Sequence, residues 1–126
     1  MKLVSIVVPM YNEAPVIDIF FETMRAIIAG IEEKKDVRFE IIAVNDGSGD
    51  GTLDKLLKWQ GELNCLSVLS LSRNFGQEPA VFAGLRRARG DAAIVMDCDL
   101  QDPPEMILPM IEKWEEGYDV VNCRRV

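Results

Sequence analysis

The 126-residue chain contains no histidine. That removes the commonest general base, and with it every Ser-His-Asp or Cys-His arrangement. Cysteine is scarce: Cys65, Cys98 and Cys123 are widely spaced and odd in number. Without a CxxC pair or a histidine, a zinc site is excluded, and the thiols read as reduced groups in or near a core, with a cytoplasmic setting. No apolar run reaches the roughly 20 residues of a membrane span. The longest candidate, residues 16–31, is broken by Asp18, Glu22 and Arg25. No leader is visible, because Met1-Lys2 runs directly into a strand-like segment. A basic excess is missing too: 14 Lys and Arg stand against 21 Asp and Glu, a net charge of −7. That balance speaks against a nucleic-acid partner. Repeats, linkers and low-complexity stretches are absent.

What is present is a globular composition, 48% hydrophobic, in a strand–helix alternation. Strands are expected at 3–9, 39–44, 66–71, 92–96 and 118–123. Pro9 should stop the first, since it cannot donate to a ladder. The stripe Val16, Ile17, Phe20, Phe21, Met24, Ile27, Ile28 and Ile31 has helical spacing and is explained by core packing. A short helix carries Leu53, Leu56 and Leu57. Another spans about 79–89, with Gly84 facing the sheet closely and Gly90 as its C-terminal cap. Ile107, Met110, Ile111 and Trp114 mark a last helix, closed by Gly117. Pro109 requires that it begin near Leu108 after a turn at Pro103-Pro104, or that it be kinked. The chain stops right after the fifth strand, so a truncated C-terminus is expected.

The alternation predicts one α/β domain over residues 1–126, a Rossmann-like, mostly parallel sheet with helices on both faces. Ligands of such sheets bind at the carboxyl ends of the strands. The residues that follow the strands are polar: Tyr11-Asn12-Glu13, then Asn45 and Asp46, then Arg73-Asn74, then Asp97, Asp99, Gln101 and Asp102.

Asp97-x-Asp99 places two carboxylates on one side of an extended segment. They would repel and be costly near a core unless a cation neutralises them. A hard divalent ion with oxygen ligands and substrate phosphates fits that need, and outweighs the plain reading of a solvated loop. "NDGSGDGT" is a turn by composition, and Asp50 or Thr52 can cap the next helix. It lacks GKS/T, and no GxGxxG follows the first strand, so neither nucleotide fingerprint is met. Asp46 can accept hydrogen bonds from a base or ribose. In "PMYNEAP" Asn12 can cap the helix with Glu13 favoured by its dipole, or Tyr11 can flank a nucleobase. Arg73 has two readings, a solvated charge or a group facing the nucleotide.

Taken together, "SIVVPMYNE", "VNDGSGDGT", "LSRNFGQEPAVFAGLRRARGD" and "MDCDLQDPPE" resemble the family-two glycosyltransferases of the GT-A fold. Within them the chain is most similar to the polyprenyl-phosphate sugar transferases, of the dolichol-phosphate mannose synthase and bactoprenol glucosyltransferase type. The resemblance covers nearly the whole chain. It implies the nucleotide-binding half of such an enzyme. Pro9, Tyr11, Glu13, Val44 and Asp46 would line the nucleoside pocket. Asp97 and Cys98 would lie along the nucleotide, with Arg73 near it. Asp99 and Gln101 would hold Mg²⁺ or Mn²⁺, and Asp97 and Asp99 would carry the catalysis. Two departures stand out: Asn45 where the family commonly has Asp, and Cys98 where the middle residue is often small.

The implied reaction moves a sugar from a UDP- or GDP-sugar to an acceptor, by metal-assisted inverting displacement. A polyprenyl phosphate is the expected acceptor. The longer protein would work at the cytoplasmic face of a membrane, which it would reach through later elements. The 126 residues alone would be soluble and inactive in transfer. The rivals are a transferase acting on a saccharide hydroxyl, a nucleotidyltransferase and a non-catalytic acidic signalling domain. The second would carry a glycine-rich basic loop after the first strand. The last would need a lysine after the fourth strand.

Overall fold

The computed structural model describes residues 1–99 and 104–116. Strand β1 is Lys2–Met10, helix α1 Ala14–Lys34, β2 Val37–Asn45, α2 Thr52–Gln60 and β3 Leu66–Ser70. Helix α3 Gln77–Arg87, β4 Ala92–Val95, a 3₁₀ turn Pro104–Met106 and helix α4 Ile107–Glu115 follow. The expected fifth strand at 118–123, Gly117 and Cys123 lie outside the described residues.

The four described strands form a parallel sheet in the order β3-β2-β1-β4. Its centre is buried on both sides, which is why β1 and β2 read as continuous apolar runs rather than alternations. On one face Val4, Ile6, Val8 and Met10 join Phe39, Ile41 and Ala43 beneath α1, α2 and α4. On the other Val7, Ile42 and Val44 meet Ala80 of α3. Helix α1 turns Ile17, Phe20, Phe21, Met24, Ile28 and Ile31 inward at three- and four-residue spacing. Each such side chain contributes roughly 1.5–3 kcal/mol by leaving water. Trp59 of α2 packs on Phe21 and donates its indole N–H to Asp18 at 2.8 Å, which ties α2 to α1.

Two expectations are corrected, and one open choice is decided. Pro9 does not end β1, which continues to Met10. Lys2 N and Met10 O bond toward β2, at Asp36 O and Asp46 N, whereas the carbonyls of Leu3 and Val7 accept from Asp91 and Met96 on the β4 side. Pro9 shares the odd-numbered side, beyond the last residue of β4, so its missing N–H leaves no ladder bond unmade. Gly90 is not a helix cap, because α3 stops at Arg87 with Ala88 extended. The Gly90 amide donates instead to Ser5 Oγ at 2.8 Å. Of the two possibilities for Pro109, the preliminary turn is realised. Pro109 is the third residue of α4, where its lack of an amide proton costs nothing.

Gly84 is the close approach expected of it. A methyl group there would lie 2.5 Å from Val7 Cγ1 and 3.0 Å from Val44 Cγ2. Alanine favours a helix over glycine by about 1 kcal/mol, but overpacking of a tight site costs about 1–3 kcal/mol. Gly84→Ala is therefore expected to lower the urea midpoint with an unchanged slope. A raised midpoint would show that Val7 gives way.

Candidate functional site

The site lies at the carboxyl edge of the sheet, between β1 and β4. These neighbours are not consecutive in the chain, so the crevice opens where the strand order reverses. The cleft holds about 410 Å³ and is lined by Pro9, Met10, Tyr11, Glu13, Asp46, Asn74, Gly76, Gln77, Asp97 and Asp99.

Its walls are braced by the segment leaving β2. Asn12 has a left-handed backbone, φ 54°. Of the two readings of this stretch, the Asn12 cap is not realised: its side chain accepts from Gly49 N at 2.9 Å while its backbone amide donates to Ser48 Oγ. The start of α1 is satisfied from across the cleft. Glu13 N donates to Thr52 Oγ1 at 2.9 Å, and Ala14 N to Asp50 Oδ2 at 3.3 Å. Asp50 also accepts from Thr52 N, opening α2. One carboxylate thus serves two helix N-termini, where a negative charge is favoured. These bonds hold the Asp50 carboxyl below its usual pKa, the Thr52 side chain first among them.

On the other side, Asp46 is 3% exposed. Its Oδ1 accepts from Phe75 N at 2.8 Å, and its Oδ2 from Gly76 N and Asn74 Nδ2, both at 3.0 Å. Gly47, at φ +65°, lies against the same segment. A Cβ there would stand 2.2 Å from the Arg73 carbonyl carbon, so no other residue fits. Asn45, also buried, accepts from Ser48 N and donates to Ser70 Oγ. An amide can do both, whereas the aspartate common in the resembling family can only accept.

The acids meet in the cleft. Residues 97–99 are half-buried, buried and exposed in turn. The alternation expected of Asp-x-Asp is thus realised: Asp97 and Asp99 line the cleft, and Cys98 turns into the core. Gln77 Nε2 donates to Asp97 Oδ1 at 3.3 Å. Burial pushes the Cys98 thiol up to about 12, helped by the charges of Glu13, Asp99 and Asp97. The Glu13 carboxyl is raised, chiefly by burial, then by Asp99; a hydrogen bond with Cys98 opposes the shift.

The cleft therefore gathers Pro9, Tyr11, Glu13, Asp46, Asp97 and Asp99, all anticipated from the sequence. Three expected members stand apart from its lining. Val44 is fully enclosed between Val7 and α3, and the Cys98 side chain is in the core. Arg73 lies over the Phe75 ring at 4.7 Å rather than in the cleft wall. Gln101 and Asp102 lie outside the described residues. Asn74, Gly76 and Gln77 belong to the wall without having been singled out as its members. The glycine and amide in "RNFGQ" were the available signal.

The donor set can be tested against a divalent cation. Carboxylates are hard oxygen donors, and the mutual repulsion of Glu13, Asp97 and Asp99 is what a cation relieves. Among the described residues no three acids or thiols stand close enough to hold an ion unaided. That suits an ion which takes its remaining ligands from phosphate and water.

The family model described as Glycosyl transferase family 2 matches residues 5–126. The chain belongs to this family. It is 46% identical over 129 residues to the prophage bactoprenol glucosyl transferase homolog of Escherichia coli K12, covering 97% of this chain and 39% of that protein. To the uncharacterized glycosyltransferase sll0501 of Synechocystis it is 43% identical, covering 96% and 37%. The chain thus spans less than two-fifths of these curated relatives. Among solved structures, the mannosyltransferase PcManGT of Pyrobaculum calidifontis, in complex with GDP-Man and Mn²⁺, superposes with a TM-score of 0.63 at 26% identity. That match covers 76% of this chain and 27% of that one. S. aureus TarS 1-349 with UDP-GlcNAc gives 0.57 at 28% identity, covering 88% and 32%. The family-two membership and the α/β fold expected from the motifs are thereby established.

The raised Glu13 pKa has a testable sign. The folded chain binds that proton more tightly than the unfolded chain, whose value is near 4.5. Its contribution to stability is complete below that pH and is lost as pH rises through the folded value. Without added metal, Glu13→Gln should therefore gain stability relative to the parent as pH rises from about 4 to 7. Melting curves across that range check it; a constant difference would place Glu13 in ordinary solvent.

Proposed function

We propose that this chain is the nucleotide-sugar-binding part of a hexosyltransferase that moves a sugar from a UDP- or GDP-sugar to a polyprenyl phosphate, with inversion. The observation that carries the reading is the convergence of Glu13, Asp97 and Asp99 on the cleft between β1 and β4. The similarity to bactoprenol glucosyl transferases supports the lipid acceptor, and the GDP-Man, Mn²⁺ and UDP-GlcNAc of the solved neighbours support the donor class.

Each residue then has a task. Pro9, Tyr11 and Asp46 border the nucleoside end of the cleft. Asp97 runs along the nucleotide, with Glu13 beside it. Asp99 is the principal ligand of Mg²⁺ or Mn²⁺, assisted by Gln101. The ion, when bound, neutralises the charge that grows on the departing diphosphate. Asp97, steadied by the Gln77 amide, keeps its carboxylate facing that position. A phosphate acceptor is already ionised at neutral pH, so a chain without histidine lacks nothing the attack requires. A saccharide hydroxyl would need a carboxylate base to take its proton, a task to which none of the cleft acids is assigned here.

The site of action is the cytoplasmic face of a membrane, reached by the longer protein. Among the described residues no helix is long and apolar enough to cross one.

Calorimetry with UDP and GDP, with and without Mn²⁺, tests the donor reading. Mn²⁺ should strengthen binding, and Asp99→Ala should remove that gain, by about tenfold or more, while the fold survives. Unchanged metal-dependent affinity in Asp99→Ala would overturn the assignment. For the acceptor, labelled-sugar transfer in detergent micelles should be seen with the longer protein and a polyprenyl phosphate, and not with the 126 residues alone. Preference for a soluble hydroxyl acceptor would overturn the lipid reading.

A further inference from the structure

We propose that Asp46 serves this site as a positioning residue: it holds residues 74–76, and through them places Gln77 where its amide engages Asp97. The proposal rests on the donor reading above and assigns Asp46 a task other than contact with the base.

The bonding capacity of the Asp46 carboxylate is largely used within the chain. Two backbone amides, Phe75 N and Gly76 N, and the Asn74 side chain converge on its two oxygens at 2.8–3.0 Å. Asn74 Nδ2 reaches the Asp46 carbonyl as well, at 3.3 Å. A base N–H arriving at this carboxylate would find only the second lone pair of Oδ1 open, since Oδ2 already accepts twice. Gly47 removes the last obstacle to this contact, since the two backbones touch where its side chain would be.

The held segment leads straight into the acid pair. Gly76 is the N-cap of α3, with φ 105°, and the next residue is Gln77. Its amide reaches Asp97 Oδ1 at 3.3 Å, in an exposed position. A bond that long and that exposed is weak by itself. It persists only while the backbone at Gly76 stays where Asp46 puts it. The carboxylate at the end of β2 thus sets one of the contacts of the carboxylate at the end of β4.

The test compares the chain with Asp46→Asn, Gln77→Ala and the double variant. UDP and GDP are titrated in the presence of Mn²⁺, and amide exchange at Phe75 and Gly76 is followed without ligand. In Asp46→Asn one oxygen becomes a donor facing donors. Exchange at both amides should accelerate, and affinity for both diphosphates should fall by the same factor, about tenfold. The ratio of UDP to GDP affinity should stay as in the parent. The double variant should lose little more than Asp46→Asn alone, because both act on one contact. Should Asp46→Asn give no cooperative melt, Asn74→Ala, which removes one donor only, should show the same pattern with a smaller loss. A changed UDP-to-GDP ratio would overturn the proposal in favour of a base contact. Additive losses, or unchanged exchange at Phe75 and Gly76, would overturn it as well. A parent chain that gains nothing from Mn²⁺ overturns the donor reading and this proposal with it. A parental gain that Asp46→Asn leaves intact overturns the proposal alone.

Discussion

The backbone amides at the entry to the cleft have no partners within their own elements, and the rest of the site depends on where they find them. Glu13 and Ala14 open α1, and Phe75 and Gly76 lead into α3. Amide groups at helix starts must be satisfied from outside the helix. Here one eight-residue segment, 45–52, does it for both. Asp50 and Thr52 take the α1 side, and Asp46 takes the α3 side. The two helices pack on opposite faces of the sheet, and the loop after β2 bonds to the starts of both. Its glycines and short polar side chains let acceptors be placed densely where a regular element has none.

That brace explains how the cleft tolerates its charge. Asp46 and Asp50 are neutralised by amide dipoles, and their negative charge is spread over bonds at defined distances. Glu13, Asp97 and Asp99 are treated differently. They repel one another, and burial first, then the charge of Asp99, holds Glu13 above its ordinary pKa. The difference separates carboxylates whose hydrogen bonds complete the fold from carboxylates whose mutual repulsion a cation would relieve. Both kinds stand within one cleft, and composition alone does not tell them apart.

The sequence carried the architecture because parallel sheets bury their central strands on both faces, and residues 3–9 and 39–44 show it as unbroken apolar runs. The shared side of Asp97 and Asp99 was legible from their spacing, although Cys98 and Asp99 stand in a turn rather than in an extended segment. Asp46 was legible as a strand-end carboxylate, but not as one already engaged, because its partners are 28–30 residues away in the chain. Val44 illustrates the converse. Its neighbours in the motif are at the cleft, yet the two-residue period turns it into the core against Gly84. The cap reading of Asn12 could not be decided from the sequence because capping rules are local, whereas the acceptors that serve α1 come from beyond β2.

Pro9 connects these observations. Strands β1 and β4 pair up to Val7 and Val95, and Met96 N still reaches Val7 O. The next rung on that side would need an amide proton from residue 9, and proline has none. The described pairing stops at Val7, while β1 continues three residues further along β2, as far as Met10 opposite Asn45. The two neighbours separate, and residues 97–99 leave the sheet instead of extending it. The crevice that gathers the acids thus opens beyond the last β1–β4 bond, and Pro9 stands at its edge with no amide proton to extend that side of the sheet.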